Sequence, residues 1–326
     1  MIEGWNSEQA ELLLGAMRTV ADEHGDGGVG PIEQGLIDGA ARHVFDLDPP
    51  AAGSPVEPDA LAAALGEERQ RAMAVQFLTL MPYADMTVAE SEVALVDDYA
   101  EALGEDTTTL TQLHRIRDGH VKRALLDYSR RAAGAYQVDT PRLKKLVESI
   151  HQYVGDRAVA ERYATLESYP EESLGRVFFD FYRARGFPLP GEKKSLGETL
   201  TPHDCAHILG GFNTDGTGEI NVAGFEAGMG VDEFGYELLL EVILDFHLGI
   251  DFGVGLVGYV PKTGEMDPDQ MMVGIRRGLD CNTDLIHRFD FWGVADRPVE
   301  DLRAEYGIVA AGPVVIPPPE APATEA

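Results

Sequence analysis

Near the start of the chain, apolar residues recur at helical spacing on either side of an acidic turn, and they do so twice. Ala16–Asp48, "AMRTVADEHGDGGVGPIEQGLIDGAARHVFDLD", runs as apolar helix, Gly-rich acidic turn, Glu33 and apolar helix. Ala74–Asp106, "AVQFLTLMPYADMTVAESEVALVDDYAEALGED", repeats the form, with Asp85 echoing Asp22 and Glu90 echoing Glu33. Leu12, Leu13, Met17 and Val20 precede the first turn, and Val93, Leu95, Val96 and Tyr99 follow the second; both sets have helical periodicity. The pattern predicts two helical hairpins, joined by a loop over the Pro-rich "LDPPAAGSPVEPD". Further on, the apolar run Phe234–Val260 is broken by Glu237, Glu241, Asp245, His247 and Asp251, charges that a membrane span tolerates badly. It predicts a buried helix running into a Gly-rich segment. Apolar helices are expected over Phe234–His247 and Met271–Leu279, and disorder in the Pro- and Ala-rich tail 309–326. The fold class read from this pattern is all-α.

Composition narrows the partners. The chain has 326 residues, room for two ordinary domains. Its 26 Lys and Arg face 56 Asp and Glu, a formal net charge of -30, so its field repels phosphates and makes nucleic acid a poor partner. The basic residues Arg115, Arg117, Lys122, Arg123, Arg130, Arg131, Arg142, Lys144 and Lys145 gather in the middle of the chain. Such runs are mostly solvated helix faces; contact with anionic lipid headgroups is the sharper alternative. Cys205 and Cys281 are too few for a disulfide framework, and "MIEGWNSEQAELLLG" lacks the basic start and apolar run of a secretion signal. A cytoplasmic protein is expected, with peripheral membrane association as an option.

The chemistry concentrates in "TLTPHDCAHILGGFNTDGTGE", Thr199–Glu219. Thr201, Pro202 and Asp204 have the spacing of an N-cap, a first-turn proline and a capping-box partner, and Gly210 with Gly211 ends the helix. That accounts for Asp204 but not for the histidines. His203 and His207 stand one turn apart on one helical face, with Asp204 at its edge. Imidazoles and carboxylates are ligands of zinc and related divalent ions, and Glu219 is the natural fourth ligand if Gly216 and Gly218 let the following loop fold back. "NTDGTGEIN" from Asn213 imitates the start of a calcium loop, but its twelfth place is Gly224 instead of a bidentate Glu, so calcium is set aside.

The same residues resemble a known family. His203, Asp204, Cys205, Ala206 and His207, then eleven residues and Glu219, match the His-Asp-x-x-His, eleven-residue, Glu signature of the coenzyme Q (ubiquinone) biosynthesis family represented by the fourth protein of the Coq series. "YPEESLGRVFFDFYRARGF" and "DFWGVADRPVEDLRAEYGI" extend the likeness over about residues 160–308. Residues 7–135 resemble the TerB-like (tellurite-resistance) helical domain, whose acidic turns correspond to Asp22, Asp26, Glu33, Asp85 and Glu90. The resemblances imply a TerB-like domain over 1–137 and an all-helical metal- and lipid-binding domain over 138–308. They imply a divalent metal, zinc by the residue types with iron as the alternative, at His203, Asp204, His207 and Glu219. They also imply an isoprenoid or quinone-precursor lipid as ligand, other quinone-biosynthesis enzymes as partners, and self-association as an option. The expected activity is metal-dependent, oxidative decarboxylation or hydroxylation at ring carbon one of a polyprenyl hydroxybenzoate. The alternatives are a non-catalytic isoprenoid-binding scaffold and a TerB-like stress-response module.

Overall fold

A computed structural model describes residues 2–23, 28–48, 55–84, 88–124, 155–195, 197–230, 233–250, 263–287 and 289–309. Among these residues the regular structure is helical, and the protein is all-α. Two compact units result, and they do not follow chain order. The first takes Met1–Ser129 with Asp215–Val254 and Val260–Leu279; the second takes Arg130–Thr214 with Gly255–Tyr259 and Asp280–Ala326. The linear boundary expected at 137/138 and the tail from 310 onward lie outside the described residues.

The first unit holds both hairpins. Ser7–Asp22 opens on a capping box: the Asn6 side chain accepts from the Gln9 amide at 3.0 Å, and Gln9 Oε1 accepts from the Asn6 amide at 3.1 Å. Pro31–Gly39 continues through a wider turn over Ala40–Val44. Glu68–Leu80, a short turn at Met81–Tyr83 and Glu90–Leu103 make the second hairpin. The repeat is real but its register is shifted by two residues. Glu33 is the third residue of its helix, and its counterpart, the third of Glu90–Leu103, is Glu92. Both are buried while Glu90 is exposed. Of the other acidic turn residues, Asp22 is exposed, and Asp26 and Asp85 lie outside the described residues. The expected loop ends early, because Pro58 and Asp59 begin a helix, Pro58–Ala64.

Helices Gly216–Met229, Phe234–Phe246 and Pro268–Asp280 complete this unit. Phe234–Phe246 is buried along nearly its whole length, and a row of rings, Trp5, Phe45, Phe77 and Tyr236, spaced 5.1, 6.1 and 6.4 Å, packs in the core. Gly228 and Gly278 let two helix backbones meet: a Cβ on Gly278 would lie 2.1 Å from the Phe225 carbonyl oxygen, and one on Gly228 2.1 Å from that of Ile275. Of the basic stretch, Arg117 pairs with Asp118 at 2.9 Å, and Lys122 and Arg123 are exposed. Arg130–Lys145 lies outside the described residues.

The second unit is built on an aromatic cluster. Tyr163 of Arg157–Ala164 stacks on Phe291 at 5.9 Å and meets Trp292 edge-on at 4.9 Å; Phe178 of Leu174–Arg185 lies 5.0 Å from Phe291. Ring pairs at such offsets add to what their burial contributes. Gly175 sits where a Cβ would be 2.8 Å from the Ala295 carbonyl oxygen, and its amide donates to that oxygen at 2.7 Å. The closing helix Val299–Tyr306 starts just after Pro298.

Candidate metal centre

The motif helix, Thr201–Gly210, belongs to the second unit. Its start differs from the capping box its sequence suggests. A short turn over Glu198–Leu200 leads in, Leu200 holds the cap position without a side-chain bond, and Thr201 is already helical. The Thr201 hydroxyl is drawn instead into the core, 3.0 Å from the Tyr163 hydroxyl, and fixes the helix start against the aromatic cluster. Its end is as expected: Gly211 adopts the left-handed conformation at φ +73°, and the amides of Gly211 and Phe212 donate to the His207 carbonyl at 2.8 and 3.0 Å.

Between these ends the helix stacks the two imidazoles. Nε2 of His203 and Nε2 of His207 lie 3.2 Å apart, with the rings edge-to-face and centroids at 4.8 Å. Two nitrogens bound to one tetrahedral zinc at ordinary Zn–N lengths are about 3.3 Å apart, so the pair is set at a chelating separation. His207 is buried, 6.1 Å from the Phe181 ring, and His203 is half-buried.

Asp204, half-buried, takes a different partner. Its Oδ2 accepts the Tyr182 hydroxyl from the neighbouring helix. Burial, with the Asp204 charge added, pushes the Tyr182 phenol well above its ordinary value, so the phenol keeps its proton and donates it. The intervening Cys205 is fully buried, and burial raises its thiol in the same way, so it stays a neutral thiol.

Glu219 stands in the first turn of Gly216–Met229 and not on a loop. Asp215 caps that helix, its Oδ1 accepting from the Gly218 amide at 2.8 Å, which absorbs Gly216 and Gly218 into the helix. The residues that imitate a calcium loop are therefore a helix start. His203 and His207 belong to the second unit and Glu219 to the first. Within one unit, the part of the motif set at a chelating distance is the imidazole pair. Asp204 is not part of it.

Three supporting residues escaped the sequence reading. Tyr163 and Tyr182 hold Thr201 and Asp204, but aromatic residues on helix faces look like plain core. Arg303 caps the motif helix from a distance of 94 residues, its Nε donating to the Leu209 carbonyl and its Nη2 to that of Ile208, both at 2.8 Å. These are last-turn carbonyls, which a cation satisfies while complementing the helix dipole.

No protein-family model matches the chain, and no curated protein matches its sequence. The likeness to the ubiquinone-biosynthesis family therefore rests on the motif residues themselves. No helix among the described residues is long and apolar enough to cross a membrane.

Proposed function

We propose that the chain is a divalent-metal protein acting on a polyprenylated aromatic quinone precursor, with His203, His207 and Glu219 as ligands and Asp204 as the remaining acidic member of the motif. The observation that carries this reading is the 3.2 Å separation of the two Nε2 atoms, inside a sequence spacing that matches the family's signature through Glu219. Two imidazoles and a carboxylate are a donor set suited to zinc or iron. A metal there supplies Lewis acidity toward a phenolate or carboxylate oxygen of the ring, with redox chemistry added only if the metal is iron.

The protein's own part is positioning. Thr201 on Tyr163 and Arg303 on the last carbonyls hold the motif helix at both ends, so the imidazoles keep their spacing. Tyr182 fixes the Asp204 carboxylate beside the imidazole pair. Cys205, two positions after His203 on the same helix, is turned away from the imidazole pair and fully buried. The prenyl chain of the substrate enters the proposal through the motif likeness alone, with peripheral membrane association as the means of reaching it.

The test is release of carbon dioxide from a carboxyl-labelled polyprenyl hydroxybenzoate by the purified full chain supplied with zinc or iron. Release by the wild type and not by His207→Ala supports the reading. No release, with prenyl lipid still recovered from the purified chain, overturns the enzymatic role and leaves a lipid scaffold.

A further inference from the structure

A second group of polar side chains lies within the first unit and takes no part in the motif. Tyr83, Gln112, Glu237 and Glu241, with Ile116, Ala124, Leu240 and Leu244, line a cavity of about 20 Å³. Room of roughly 10–15 Å³ is what one water needs, so the space admits one small ion or a water or two. Glu237 and Glu241 are one turn apart on Phe234–Phe246 and are 4% and 7% exposed. Facing them, Gln112 is 8% exposed, and both its amide oxygen and its amide nitrogen are without a hydrogen-bond partner; the Tyr83 hydroxyl, fully buried, has none either. Buried polar atoms in native proteins are almost always satisfied, so these three atoms point to something that sits among them.

We infer that this cavity is a binding site for a hard divalent cation, calcium or magnesium, coordinated by the carboxylates of Glu237 and Glu241, the Gln112 amide oxygen and the Tyr83 hydroxyl oxygen. All four are oxygens, the ligand type that hard cations select and that a softer zinc-type site does not need. Two of them belong to acids. A cation is attracted by both acids, and a water bound to it can accept from the Gln112 amide nitrogen, a donor the cation itself does not satisfy. Glu237 is held in place on its far side: its Oε1 and Oε2 of Glu233 both lie against the Thr108 hydroxyl, which has a single proton to give. The cation would tie Met81–Tyr83 and Thr108–Arg117 to Phe234–Phe246, three elements of one unit. The site is separate from the imidazole pair in both its residues and its chemistry.

The experiment is thermal unfolding of the full chain, stripped with chelator, at 0.15 M salt to screen its acidic surface, with calcium or magnesium added. At a hundredfold excess over Kd, the wild type gains about 5–10 °C. Glu241→Gln and Gln112→Met lose that gain, while His203→Ala keeps it. Terbium luminescence sensitised by the nearby tyrosine provides a second readout that does not depend on unfolding, and it should vanish in the same two variants. If Glu241→Gln does not fold, Gln112→Met alone carries the comparison. The proposal is overturned if the wild type shows no gain and no luminescence, which leaves water as the occupant. It is overturned equally if both variants respond as the wild type does, which places the cation elsewhere.

Discussion

Replacing Gly278 with alanine sets two effects of opposite sign against each other. On helix propensity alone the change stabilises, because glycine in a helix interior costs about 1 kcal/mol relative to alanine. The packing says otherwise. The new Cβ would lie 2.1 Å from the Phe225 carbonyl oxygen and 2.8 Å from both the Gly228 Cα and the Met229 nitrogen, all backbone atoms that cannot rotate away. A carbon and a carbonyl oxygen approach to about 3.3 Å at closest, so Gly216–Met229 and Pro268–Asp280 must part by about 1 Å. Overpacking of that kind costs about 1–3 kcal/mol, which in a unit of this size lowers Tm by roughly 4–8 °C for a central loss of 2 kcal/mol. Gly66 is the control, having open space around it and an ordinary φ, so Gly66→Ala should be neutral or slightly stabilising. Urea and thermal unfolding of both variants decide the matter. A Gly278→Ala protein as stable as Gly66→Ala would refute the close helix contact that braces the helix carrying Glu219.

Further outcomes follow from the second unit and from the buried phenols. Arg303→Ala removes both bonds to the Ile208 and Leu209 carbonyls and should cost about 2–3 kcal/mol in urea unfolding; Arg303→Lys should recover only part, because an ammonium lacks the guanidinium fork. Tyr182→Phe removes the hydroxyl that Asp204 accepts from and should cost about 1–3 kcal/mol in urea unfolding, with little change in helix content by circular dichroism. In alkali, each phenol whose folded value is raised favours the unfolded state once the pH passes its ordinary value near 10. Tyr99, pushed up to about 12 by burial, contributes stability that is full below pH 10 and lost between about 10 and 12. Tyrosinate absorbance should therefore rise in step with unfolding, and titration of all phenols in a still-folded chain would contradict the burial of Tyr83, Tyr99, Tyr163 and Tyr236.

How much of this was legible in the sequence depends on how far each effect reaches along the chain. Helical periodicity is local, and it placed Phe234–Phe246 and Pro268–Asp280 to within a few residues. Gly211 closes the motif helix where its lack of a Cβ said it would. Some of the readings that failed depended on partners distant in sequence, others on where a helix begins. Thr201 has the residue type of an N-cap, but Tyr163 competes for its hydroxyl, and Asp204 is claimed by Tyr182. Gly216 and Gly218 look like a flexible loop until Asp215 caps the helix that contains them. The two-residue slip between Glu90 and Glu92 came from aligning the hairpins by their turns, when helix position decides which acid is buried. Gly228 and Gly278 carry no local signal for a backbone contact between helices some fifty residues apart.

The claim on which the functional reading rests is that His203, His207 and Glu219 hold one divalent ion, and elemental analysis of the purified chain measures it directly. The account predicts one zinc or iron per chain in the wild type, and loss of that metal in His203→Ala, His207→Ala and Glu219→Ala with each variant folded. Negligible metal in every protein, or the same metal content in all four, would contradict it.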